Sequence, residues 1–535
     1  MKKSLLFLFF AASTFAFAQA PDSIEQLIDR ISGRERLLLE ALQKFEPYAE
    51  TYIQSFPADQ PAALPKSDTY FLGKVTLKKG VDHRSLLRDQ GLKRSLKALT
   101  VVFSDEFVAR GMVQMILPDS SSLDRGAYEF AYVRREFLGE LRCLVLDVTP
   151  RKGSGKGRFQ GRIWVEDQDF HIVRFNGTYV PQPRVGRYLH FDSWRVQAPT
   201  GLWLPAYVYI EEADGKNSAE PGKLLHKGQT RLWGYELKGA GGQDEFTSIL
   251  LERPQAVRDR SEADRYASPV ESQRAWERQA ERNVIERLEK GGLLARASEV
   301  DKVLDTVVNN LLVTNSVELP DEVRCRVLLT FPLESFTLGH TIVLSRGLID
   351  VLPDEGSLAM VLAHELAHVV LGHPVDTRYA FNDRMLFEDQ QFFERLNFRR
   401  TPEEEAAANQ KGAELLSKSP YKDKLANAGL FLRALHERAP LLPNLIRSHV
   451  GNKLWEENLR MQELMSGAPE LKPESTDQIA ALPLGARIKM NPWNSEIELV
   501  KTKGVPLVWA REKMPFEVSP FLIHLTRQAR PAAAP

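Results

Sequence analysis

Residues 357–374 read Ser-Leu-Ala-Met-Val-Leu-Ala-His-Glu-Leu-Ala-His-Val-Val-Leu-Gly-His-Pro. His364 and His368 stand four apart, and Glu365 follows the first of them. On a helix, residues i and i+4 share a face, so two imidazoles at this spacing can grip one metal ion. Glu365 lies on the next face. There it can take a proton from metal-bound water, whose pKa a zinc ion lowers toward about 7. This is the logic of the H-E-x-x-H motif. The flanks are apolar almost all round, which predicts a buried helix. Burying three ionisable groups without a metal or dedicated partners is costly, so a chance string on a core helix is the weaker reading. Asp354 can cap the start of this helix, and Gly372 with Pro374 can stop it. The longer signature with Gly three residues after the second His, and a third His three further on, is absent. Leu371 holds the Gly position and His373 falls one residue early. His373 is read as a helix-end imidazole facing the terminal carbonyls.

A catalytic zinc site needs a third protein ligand and one open position. The best source is Thr401-Pro402-Glu403-Glu404-Glu405-Ala-Ala-Ala-Asn409. Thr401 caps a helix, Pro402 takes its first turn and Glu404 completes a capping box. Glu403 and Glu404 are thereby explained by helix-start electrostatics. Glu405 is not, and it lies one turn before Asn409 on the same face.

His364-Glu365-x-x-His368 followed by Glu405-x-x-x-Asn409 resembles the gluzincin pattern H-E-x-x-H…E-x-x-x-D. More narrowly, it is similar to the HtpX/BepA and CAAX-prenyl-endopeptidase family. Gly339-His-Thr-Ile-Val-Leu-Ser-Arg346-Gly347-Leu348, the Leu-Gly-His end of the metal helix and Ala413-Glu-Leu-Leu-Ser-Lys-Ser-Pro-Tyr421 carry the likeness over about residues 280–460. The resemblance implies one Zn²⁺ per chain held by His364, His368 and Glu405, peptide-bond hydrolysis, and a substrate bound as an added strand along 341–345. It also implies that residue 409 accepts a hydrogen bond from a ligand His. Asn409 replaces the family's Asp and can accept that bond without the charge. A downstream histidine approaches the metal in the family, to stabilise the oxyanion or to block the open site. His449 is the candidate here, with Arg487 behind it.

The elements that must position these residues follow from the rest of the chain. At 535 residues it is too long for one core, and roughly 100–200 residues per domain suggests about three units. Lys2 and Lys3, an apolar run over 4–17 and Ala16-Phe17-Ala18 read as a signal peptide cut after Ala18. This predicts a periplasmic or secreted protein. Residues 19–62 are expected to be helical. Residues 63–245 carry many short strands with turns between them, among them 162–165 and 170–175 around Glu166-Asp167-Gln168-Asp169. They suggest one curved antiparallel sheet, and they weakly resemble LolA/RseB-like half-barrels. Trp164, Trp194, Trp203, Tyr207, Tyr209 and Trp233 there could line an apolar groove, although core packing is the commoner role. Residues 246–267 read as a linker, 268–465 as the metallopeptidase domain and 466–535 as a C-terminal extension. The expected fold is therefore multidomain α+β: a β-rich, half-barrel-like domain, then a mainly helical zincin-type domain with a small edge-strand sheet.

Lys+Arg and Asp+Glu each total 71, so the net charge of zero gives no pull toward nucleic acid. Cys143 and Cys325, the two cysteines, lie in different expected domains and are read as buried thiols, although the compartment permits a disulfide. The expected partners are protein or peptide substrates of the cell envelope, with peripheral association with the outer membrane or its assembly machinery. A catalytically weak, protease-like chaperone that binds such clients is the alternative, motivated by Asn409 and the large β-rich region.

Overall fold

The computed structural model describes residues 23–57, 65–76, 82–85, 115–119, 123–181, 187–214, 224–235, 269–374, 396–446, 450–451, 461–472, 488–490, 497–499, 516, 518 and 523–527. The signal segment 1–18, the linker 246–267, His449 and Arg487 lie outside the described residues.

Helix α1 (Ile24–Leu42) begins at Ser23, whose hydroxyl accepts the amide proton of Gln26. It buries Leu27, Ile31, Leu38 and Leu42 on one face. The expectation of helix through 19–62 fails beyond Leu42. Tyr48–Ser55 is a strand, β1, buried along nearly its whole length. Pro47 disfavours helix for the residue before it, and the aromatic and β-branched residues that follow suit a sheet buried on both faces.

The strands β2 (Ser67–Thr76), β3 (Asp82–Ser85), β4 (Tyr128–Leu138), β5 (Leu141–Pro150), β6 (Arg158–Glu166), β7 (Ile172–Val180), β8 (Arg187–Gln197), β9 (Trp203–Asp214) and β10 (Leu224–Trp233) join β1 in one ten-stranded antiparallel sheet. Its order is β3-β2-β1-β10-β9-β8-β7-β6-β5-β4. Strands β4 to β10 thus run as a meander, and β1 pairs with β10. Alternate side chains of a strand point to opposite faces. Leu144, Leu146, Ile163, Val165 and Phe175 pack with α1. Cys143, Val145, Trp164, Val173 and Trp194 belong to a second cluster that continues into the helical half of the chain. All six aromatic residues that could have lined a groove are buried in that second cluster.

The second half contains α2 (Pro269–Lys290), α3 (Glu299–Thr314), β11 (Arg324–Leu328), β12 (Ser335–Leu338), β13 (Thr341–Ser345), α4 (Arg346–Val351), α5 (Glu355–Val370), α6 (Pro402–Ser417), α7 (Leu425–Arg438), α8 (Glu463–Ser466) and the small hairpin β14 (Ile488–Met490) with β15 (Ile497–Leu499). The fold is α+β, with a large antiparallel sheet followed by a mainly helical region that carries a three-stranded sheet.

The two halves interlock through polar contacts as well as packing. Asp68 of β2 accepts protons from the amides of Asn444 and Leu445, at 3.0 and 2.8 Å. Trp233 donates to Gly292 O at 2.9 Å, and Tyr52 packs on Phe331. Buried Glu50 accepts from Phe331 N and from Tyr70, and Arg231 lies 3.2 Å from it. Burial, with Arg231 close by, pulls the neighbouring Arg346 down to about 10. Cys143 and Cys325 are both buried free thiols. Among the described residues no helix is long and apolar enough to cross a membrane.

Candidate metal centre

Helix α5 is capped by Asp354, whose carboxylate accepts from Ser357 N at 2.8 Å. Every residue from Gly356 to Val369 is buried. His364 and His368 fall on one face, and their Nε2 atoms lie 3.3 Å apart. Helix α6 starts as its sequence dictates, with Thr401 and Glu404 forming a reciprocal capping box and Pro402 in the first turn. It then packs tightly on α5 through Ala408 and Gly412. A Cβ at residue 412 would sit 3.2 Å from both Ala363 O and the Cα of His364. The small residues set the helix spacing that lets Glu405 reach across. Its carboxylate oxygens lie 3.2 Å from His364 Nε2 and 3.6 Å from His368 Nε2.

These spacings suit a metal. A tetrahedral zinc with ligand bonds of about 2.0–2.1 Å holds its donors roughly 3.3 Å apart. The two imidazole nitrogens and the Glu405 oxygen nearer His364 match that spacing, and the other oxygen stands 3.6 Å from His368 Nε2. One ligand atom from each of the three residues lies within 4.8 Å of the others. The donor set of two His and one carboxylate is that of a catalytic zinc with an open position.

Glu365 is also buried, and it faces the small sheet. Ser335 Oγ donates to one of its carboxylate oxygens and Thr337 Oγ1 to the other, each at 2.7 Å. Neither hydroxyl was singled out from the sequence. Their signal is the alternation Ser335-Phe-Thr337 on a strand, which turns both to one face.

The strand expected to receive substrate is not an edge strand of the described sheet. The sheet order is β11-β13-β12, so β13 (Thr341–Ser345) is central and paired on both sides. The tight turn at Gly339-His340 folds β12 back on β13, and parallel β11 takes the other side. The edge beside the site is therefore β12. Arg400 donates to Thr337 O on it at 3.0 Å. A cavity of about 250 Å³ adjoins this edge, lined by Thr337, Pro374, Phe398, Arg399, Arg400 and Glu404 among others. A small apolar cavity of about 20 Å³ lies on the other side of His364, against Met360, Val361, Phe431, Leu435 and Met461.

The outer contacts of the two imidazoles also differ from expectation. Among the described residues the bond of Asn409 runs elsewhere than to a ligand His: its Oδ1 accepts from Met461 N at 3.0 Å. His364 Nδ1 is buried without a hydrogen-bond partner among the described residues. His368 Nδ1 lies 2.7 Å from His373 Nδ1. The His373 side chain thus turns to the other imidazole, and only its backbone N–H reaches a helix carbonyl, that of His368. Partial burial draws its pKa below the ordinary imidazole range. The stretch that contains His449 ends at Val450, whose amide donates to Glu334 at 3.2 Å.

Residues 301–387 match the family model of Peptidase family M48. This supports a zincin-type metallopeptidase, a peptide-bond hydrolase. No curated protein matches the chain. Among solved structures, an outer membrane lipoprotein-sorting protein domain from Vibrio parahaemolyticus is similar at 10% identity and a TM-score of 0.23, covering 41% of this chain and 97% of that one. A DUF1329 family protein from Desulfovibrio piger is similar at 12% identity and a TM-score of 0.20, covering 40% and 94%.

Proposed function

We propose that the protein is a zinc-dependent endopeptidase of the periplasm or the secreted fraction, of the HtpX/BepA type, acting on envelope or misfolded proteins. The observation that supports this best is the convergence of ligand atoms from His364, His368 and Glu405 within 4.8 Å of one another, with Glu365 next to His364 on α5. His364, His368 and Glu405 hold the ion. Zinc, when bound, supplies a Lewis acid for the scissile carbonyl and acidifies water toward a pKa of about 7.

Glu365 accepts the proton of the attacking water and returns it to the leaving amine. Ser335 and Thr337 hold its carboxylate in place until then. Substrate lies extended along β12, the sheet edge beside the site, where an added strand would pair with the edge backbone and displace the Arg400 contact to Thr337 O. His449 supplies a further donor to the developing oxyanion.

The test is zinc content and hydrolysis of an unfolded protein by the full chain, beside two variants. We expect one zinc per chain in the wild type and none in Glu405→Ala. Glu365→Gln should keep its zinc and lose about 10²–10⁴-fold in kcat. Hydrolysis by Glu365→Gln at the wild-type rate would remove proteolysis at this site as the function. A client-binding, chaperone-like protein would then be the better description.

A further inference from the structure

The end of α5 does more than stop a helix. Leu371 closes it, and Gly372 follows in the left-handed conformation at φ +66°. Gly372 N donates to Val369 O at 3.0 Å and His373 N to His368 O at 3.1 Å. This pair of bonds is the Schellman stop, which folds the second residue past the helix back over the residue five before it. Ordinarily an apolar contact accompanies that fold-back. Here the two residues brought together are His373 and His368, and their Nδ1 atoms meet at 2.7 Å.

A ligand imidazole that binds through Nε2 must carry its proton on Nδ1, and the partner of that N–H fixes both tautomer and ring orientation. We propose that His373 is the positioning residue for His368, accepting its Nδ1–H and so presenting the Nε2 lone pair toward His364 and Glu405. This inference rests on the reading of those three residues as zinc ligands. His373 is not itself a ligand beside His368 Nδ1. Two nitrogens on one zinc stand roughly 3.3 Å apart, whereas these stand 2.7 Å apart. The family pattern assigns this positioning role to residue 409, but Asn409 serves Met461 instead.

The experiment is zinc affinity of the full chain by chelator competition, with the melting temperature of the metal-free protein measured in parallel. Three variants are compared: His373→Ala, His373→Phe and His373→Gln. His373 is only partly buried, so all three should fold. We expect Ala and Phe each to weaken zinc binding about 10–100-fold, with the metal-free melting temperature unchanged. Gln, whose side-chain oxygen can accept the same proton, should recover most of the loss. Wild-type affinity in His373→Ala, or full recovery by Phe, would overturn the inference, since the ring would then act by packing or not at all. A wild type that takes up no zinc would overturn the reading of the site itself and this inference with it. Loss of zinc in Glu405→Ala beside an unaffected His373→Ala would sink the inference alone.

Discussion

In the large sheet, buried carboxylates meet guanidinium groups. Glu35 of α1 takes a two-point contact from Arg195 of β8, one bond at 2.8 Å. Asp192 takes two bonds of 2.8 Å from Arg174, which lies between the rings of Trp164 and Trp194. Around α5 the carboxylates meet other groups. Glu405 faces two imidazole nitrogens and Glu365 faces two hydroxyls. A guanidinium fork neutralises and satisfies a carboxylate in one contact. Two neutral imidazole lone pairs and a carboxylate aimed at one point repel each other until a cation joins them. On the proposed reading, the difference separates charge buried to hold a fold from charge placed to hold an ion.

That separation can be broken by experiment. The largest effect should come from Arg195→Ala, which strands Glu35 in the core. We expect a loss of about 3–5 kcal/mol in urea unfolding and no change in zinc affinity. A fall in zinc affinity would mean that the two kinds of burial are coupled through the shared core. A smaller effect is expected from Ser335→Ala combined with Thr337→Val. Releasing the Glu365 carboxylate should lower kcat roughly tenfold, about 1.4 kcal/mol in the barrier, with zinc content intact. Unchanged kcat would show that the edge strand contributes only packing.

A separate effect concerns His171, at the β6–β7 turn, which burial holds down to about 4. A base lowered on folding favours the folded state when neutral. Its stabilisation is full above the unfolded value of about 6.5 and is lost as pH falls through about 4. Melting temperatures between pH 7 and 4 should therefore fall less steeply in His171→Gln. An identical slope would remove His171 from the account of acid sensitivity.

Much of the site was legible because its signals are local. The i, i+4 histidines, the Asp354 cap, the Thr401-Pro402 start with its Glu404 box, and Glu405 as the acid left over all depend on neighbours within a turn or two. The strand series from 128 onward was legible for the same reason, since alternation and turn residues are local. The strand 48–55 was not. It follows a real helix after five residues, and its partners β2 and β10 lie 12 and 169 residues beyond its end.

The sequence by itself determined the strand series from 128 onward, where α5 and α6 begin, and which three side chains could share a metal. Only the tertiary structure decided that β12 and not β13 is the sheet edge beside the site. It also decided that Ser335 and Thr337 hold Glu365, that Asn409 turns to Met461 and that His373 turns to His368. Periodicity and capping are set by contacts a few residues apart. Strand order and the partner of a polar atom are set by which distant segments pack together, and no short stretch of chain carries that information.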